Sequence, residues 1–184
     1  MRTSAANLLL HSEWRPGGAA LQFGRQRRAA IGELTVVASV GASQFMSLEL
    51  HIFIQNSQVP SRDAWQQAIE EAGFPTVLEP TLDLRRDTGF RPTTYKDQAT
   101  GYEFYLEPAA GFIEAYPHIA EHIGSRDVCA TFRWGGDLTE CAAAISSAAA
   151  LTKLADGVYF YPDDDIVRTA ADAVEATREE LASI

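Results

Sequence analysis

From Leu48 onward the chain alternates, with Leu48, Leu50, Ile52 and Ile54 on one side and Glu49, His51 and Phe53 on the other. That period of two predicts a strand with one buried face. Pro60 and Ser61 then open a helix: Ser61 can cap free amides, Asp63 suits the positive end, and Trp65, Ala68, Ile69 and Ala72 recur at helical spacing until Gly73. Residues 76–79 read as a short strand that closes a β-α-β step. Residues 90–95, the turn KDQATG, and Tyr102, Phe104 and Leu106 alternating with Glu103, Tyr105 and Glu107 read as a hairpin with a longer loop.

A short helical piece over residues 110–123 leads to Gly124, and a strand follows with Val128, Ala130, Phe132 and Trp134 opposite Cys129, Thr131 and Arg133. Gly135-Gly136 turns into a long helix whose start, Asp137 followed by Glu140, resembles a capping box. Leu138, Cys141, Ile145, Ala148 and Leu151 mark its buried stripe, and Asp156-Gly157 ends it. Residues 158–161 make a final strand. After Pro162 and three aspartates, a last helix is predicted to carry Ile166, Ala170, Val174, Thr177 and Leu181 along one side. This order gives an α+β domain in which helices cover mainly one face of a mixed or antiparallel sheet, a ferredoxin-like core with additions.

The periodicity starts abruptly, which divides the chain into an extension over residues 1–45 and a single domain over residues 46–184. Before Met46 there are five basic and two acidic residues; after it, ten basic and 23 acidic, a balance of −13. The extension reads as disordered, or as the product of a start assigned upstream of Met46. Its apolar segment at 34–42 only faintly imitates a signal peptide, and no run reaches the roughly 18 to 20 apolar residues of a membrane span. Three arginines at 25–28 read as solvated charge. The domain has enough apolar residues, in a chain that is 46% apolar, for one core. Its negative charge disfavours nucleic acid and anionic membrane and favours a basic protein surface, a metal ion or a cationic ligand. Cys129 and Cys141 are too few for a disulfide framework and read as buried thiols in a reducing, cytoplasmic setting.

The candidate motifs give no catalytic residue, metal or cofactor. His118, Glu121 and His122 match the order H-x-x-E-H of inverted zinc peptidases, but Pro117 and Gly124 leave barely two turns and no third ligand is evident. Gly135-Gly136 stands where a phosphate cradle would, yet Asp137 would take the amides itself. Asp163, Asp164 and Asp165 lack the spacing of a cation loop and read as the cap of the last helix. Two surfaces are stronger candidates for binding. One is the sheet face expected to display His51, Phe53, Tyr105, Arg133, Tyr159 and Tyr161, unless the last helix covers it. The other is the aperiodic stretch 80–94, where Arg85 and Arg86 stand among Asp83, Asp87 and Arg91.

The segments SRDAWQQAIEEAGFPTVLEP (61–80) and CATFRWGGDLTECAAAISSAAALTKLADGVYFYP (129–162) resemble a group of uncharacterised bacterial proteins. The resemblance implies a bacterial source and a start near Met46, and carries no activity, ligand or catalytic residue. The expected function is a small acidic cytoplasmic interaction domain without catalysis, immunity-like or antitoxin-like, that masks a basic partner surface. The alternative is a small-molecule enzyme with His51 as acid or base and Arg133 holding an anionic substrate.

Overall fold

The computed structural model describes residues 47–183. The extension expected over residues 1–45, with its apolar segment and arginine cluster, lies outside the described residues. Within them, β1 (Leu48–Ile54), β2 (Thr76–Leu78), β3 (Gly89–Tyr95), β4 (Gln98–Pro108), β5 (Val128–Trp134), β6 (Val158–Tyr161) and β7 (Ile166–Thr169) form one sheet. The strand order is β2-β3-β4-β5-β1-β6-β7. Every neighbouring pair is antiparallel, so of the two sheet types expected the antiparallel one is present. The helices are α1 (Arg62–Glu71), α2 (Ala110–Ala115), α3 (Ala120–Ile123), α4 (Leu138–Leu154) and α5 (Ala173–Ala182).

The alternation of β1 and β5 sorts the core into two clusters. Leu50, Ile52, Ala130 and Phe132 pack with Trp65 and Ile69 of α1, with the alanine-rich body of α4 and with Val174 of α5; this is the inner face. Phe53 and Cys129 on the outer face pack with Ile119, Ile123 and Phe160. Helix α4 lies centrally and is buried all round from Ala142 to Thr152, whereas Leu138, expected on its stripe, is 61% exposed. A helix flanked by neighbours on several sides needs small residues more than a narrow apolar stripe, and its alanines meet that need. The caps predicted at Ser61 and Asp137 form. The Ser61 hydroxyl accepts from Ala64 N–H, and the Asp137 carboxylate accepts from the amides of Thr139 and Glu140.

Three expectations need correction. The β3–β4 connection is a two-residue turn, because Lys96 and Asp97 both adopt positive φ (49° and 64°) and the ladder resumes at Gln98. Consecutive positive φ matches the right-handed twist of a hairpin. The last helix starts only at Ala173. Residues 162–164 form a 3-10 turn, Asp165 enters the left-handed region, and Ile166–Thr169 pairs with β6 as the edge strand. The three aspartates therefore sit at a strand-to-strand turn instead of capping a helix. Finally, α5 lies with α4 in the inner-face cluster, so it does not cover the outer face. Part of that face is covered instead by the segment between β4 and β5, through Phe112, Ile113, Tyr116, Ile119 and Ile123.

Candidate functional site

On the outer face, cross-strand register brings together polar side chains that are far apart in sequence. Glu49 of β1 and Glu103 of β4 both stand opposite Arg133 of β5, and His51 and Tyr105 both stand opposite Thr131. Arg133 donates to Glu49 Oε2 at 3.0 Å and approaches Glu103 Oε2 at 3.7 Å, with its guanidinium 5.6 Å from the Tyr105 ring centre. The Tyr105 hydroxyl donates to Glu103 at 2.9 Å. His51 Nδ1 lies 3.1 Å from Thr131 Oγ1, while Nε2 lies 3.6 Å from Glu49 Oε1, an electrostatic approach too long for a formed hydrogen bond.

These contacts set the ionisation of the group. His51 first, and then Arg133, hold the Glu49 carboxyl down from 4.5 to about 2, although partial burial opposes them. Burial works against the charge on Arg133, but the carboxylates of Glu49 and Glu103 keep its pKa above the ordinary value. The Tyr105 hydroxyl is raised by desolvation and then by Glu103. A carboxyl depressed in the folded state stabilises the fold above its unfolded value near 4.5 and loses that contribution as pH falls through about 2. Glu49 is about one-third exposed, so solvent screening reduces the effect to about 1 to 2 kcal/mol. Glu49→Gln should accordingly flatten the acid limb of a stability curve between pH 5 and 2, as followed by urea midpoints. Parallel curves for the variant and the parent would assign the acid transition to other carboxyls.

The sequence-predicted residues divide. His51, Phe53, Tyr105 and Arg133 do share the outer face, but His51 and Phe53 are buried. The ring of Phe112 lies 4.8 Å from that of His51, and the rings of Tyr116 and Phe160 stand 6.3 and 6.2 Å away. Histidine Nε2 is buried without a hydrogen-bond partner. An anion seeking Arg133 would have to displace a carboxylate. Tyr159 and Tyr161 are not on this face, because His51 pairs with Phe160 and Ile52 with Tyr159, which turns both tyrosines inward. Arg85 binds the side-chain and backbone oxygens of Asn56 at 2.6 and 2.7 Å, and the exposed Arg86 pairs with Asp83 at 3.6 Å. Arg85 thus ties the loop before β3 to the turn after β1, while Arg86 makes only a local, exposed pair, and neither contacts the His51 group.

The remaining motifs have local roles. His118 lies in a 3-10 turn and binds Asp165 at 2.8 Å, and among the described residues no three His, Cys, Asp or Glu side chains converge as a metal site. The Gly135 amide donates to Glu140 Oε2. Cys129 is a buried thiol pushed up by desolvation. No helix among the described residues is long and apolar enough to cross a membrane.

The inner face carries a cleft that the sequence did not reveal. On the inner face, α4, α5 and the β6–β7 edge enclose a cleft of about 250 Å³, whose lining includes Trp134, Cys141, Tyr159, Tyr161, Asp164 and Glu180. Arg168 of β7 pairs with Glu180 and lies 5.2 Å from the centre of the Tyr159 ring. Desolvation and the nearby Asp163 and Asp164 push the Tyr161 hydroxyl up to about 12.

Charge is distributed unevenly over the described residues. Of their ten cations, nine are engaged within the chain. Arg62, Arg126 and Arg178 donate to backbone carbonyls, Arg85 donates to Asn56, and Lys96 lies over the Tyr95 ring. Arg86, Arg91, Arg133 and Arg168 pair with carboxylates. The surplus carboxylates are left to set the surface potential. Compared with known proteins, the chain matches no family, no curated protein and no solved structure.

Proposed function

We propose that this is a small, acidic, cytoplasmic bacterial interaction domain without catalysis, which masks a basic surface of a partner protein in the manner of an immunity protein or antitoxin. The observation that carries this reading is the half of the outer face left open by the α2–α3 segment. There Phe90 and Val77 are 57% and 50% exposed, Phe90 stands opposite Glu103, and Tyr105 and Glu107 follow on the same face of β4. An aromatic anchor bordered by negative charge suits a partner that offers apolar contact ringed by Lys and Arg. With most cations already bound internally, a basic partner meets little repulsion. The strand order β4-β5-β1-β6, with α1 and α4 as the crossings, supports a ferredoxin-like core extended by β2, β3 and β7, a fold that carries no function by itself.

A photo-crosslinking residue at position 90, used in cells and read by mass spectrometry, would identify the partner, and the pair would then be reconstituted from purified proteins. The expected partner is basic. Affinity should fall about tenfold or more on Phe90→Ala or on the pair Glu103→Lys and Glu107→Lys, and should fall with rising salt. A partner that binds equally well to these variants and is insensitive to salt would reject the reading. An enzyme centred on His51 and Arg133 is the second reading, favoured by the unpartnered Nε2 of His51 beside Glu49. Opposing it are Phe112 against the imidazole and two carboxylates on the guanidinium.

A further inference from the structure

We infer that the inner-face cleft between α4, α5 and the β6–β7 edge is a receptor for one organic cation, the ammonium or guanidinium head of an amine or of a lysine or arginine side chain. Its walls carry three aromatic rings, those of Trp134, Tyr159 and Tyr161. Trp134 and Tyr161 stand nearly parallel, with centroids 6.3 Å apart and planes inclined by 15°. Aromatic faces attract cations, and most strongly where water is partly excluded. Two carboxylates, Asp164 and Glu180, and the Arg168 guanidinium are also in the lining. Asp163 also lies near the Tyr161 hydroxyl.

The chain already uses this chemistry once in the same place. Arg168 lies over Tyr159 with Glu180 as its counter-ion. That pair is neutral overall, which leaves Asp164, without an ion-pair partner among the described residues, as the uncompensated charge of the lining. An anion would meet that carboxylate. A neutral apolar ligand would strip water from it without replacing the lost interactions. A cation stacked on Trp134 and Tyr161 satisfies it. Size narrows the class further: about 250 Å³ is below the roughly 300–1,000 Å³ of sites for drug-sized ligands, which suits one head group on a short stem and excludes a nucleotide. The cleft is on the opposite side of the sheet from the proposed docking face, so the two readings stand or fall separately.

Cys141 provides a reporter, since it lines the cleft and is only partly buried, whereas Cys129 is fully buried and serves as a silent control. The rate of Cys141 alkylation by iodoacetamide would be measured on the full chain with butylammonium, butylguanidinium, a blocked Gly-Lys-Gly peptide and, as an anionic counterpart, butanesulfonate. The cations are expected to slow alkylation in a saturable way and butanesulfonate is not. Asp164→Asn should weaken that protection by about threefold or more, Tyr161→Leu should weaken it similarly, and Glu114→Lys on the exposed side of α2 should leave it unchanged. Equal protection by butylammonium and the peptide would assign the site to free amines, and protection at least about tenfold tighter by the peptide would assign it to a protein side chain. Equal protection by butanesulfonate, or none by any cation, would overturn the proposal.

Discussion

Replacing Trp65 with alanine is expected to lower stability by about 3–5 kcal/mol, a large share of the roughly 5–15 kcal/mol available to a domain of this size. The indole is fully buried, with its ring centre 5.7 Å from that of Phe104 and 5.9 Å from that of Phe132. Its Nε1–H donates to the Ser147 carbonyl at 2.9 Å. One side chain thus joins α1 to the sheet through its ring and to α4 through its polar edge. Alanine would leave a cavity and a carbonyl without its donor, whereas Trp65→Phe would keep much of the packing and lose the bond, at about 1 to 3 kcal/mol. Urea melts of the two variants measure both effects. A loss below about 1 kcal/mol for Trp65→Ala would mean that α1 packs on the core without its main anchor.

The elements that could be read from the sequence were those with a single consistent signal. In β1 and β5 the alternation separates Leu50 from His51 and Phe132 from Arg133, and the register confirms both assignments. The caps at Ser61 and Asp137 mark helix starts because their side chains have one obvious use, to bind nearby amides. Strand β6 carries no such signal. All four residues of Val-Tyr-Phe-Tyr are apolar or aromatic, so its inward face was decided only by pairing with β1. In β7, Ile166, Ala170 and Val174 happen to fall at helical spacing, and that outweighed the strand preference of the run Ile-Val-Arg-Thr. These two errors hid the cleft, since Tyr159, Tyr161 and Arg168 all line it. The Glu49–His51–Arg133 group was half visible. Its members were on the right face, but their contacts span 80 and 84 residues and follow from register, and the Phe112 cover follows from the path of the β4–β5 connection.

Gly101→Ala is expected to cost about 1–3 kcal/mol, the range for forcing extra volume into a packed position, and to move the aromatic anchor of the proposed docking face. A Cβ built at Gly101 would overlap Phe90 Cζ and lie 2.6 Å from the carbonyl oxygen of Arg91. The phenyl ring of β3 therefore occupies the space that a side chain on β4 would fill, and the missing Cβ lets this exposed ring seat against the β4 backbone. This is preorganisation: an anchor already seated loses less side-chain freedom when a partner binds. The two clashes differ in how they can be relieved. Phe90 can rotate away into solvent, but the Arg91 carbonyl belongs to the β3–β4 ladder and moves only if the strands shift. Phe90→Ala combined with Gly101→Ala should consequently recover part of the lost stability and not all of it, as read from the melting of the two single variants and the double. Full recovery in the double variant would mean that the ring alone obstructs the position. A neutral Gly101→Ala would mean that Phe90 is not held over the glycine and that the docking face has no fixed anchor.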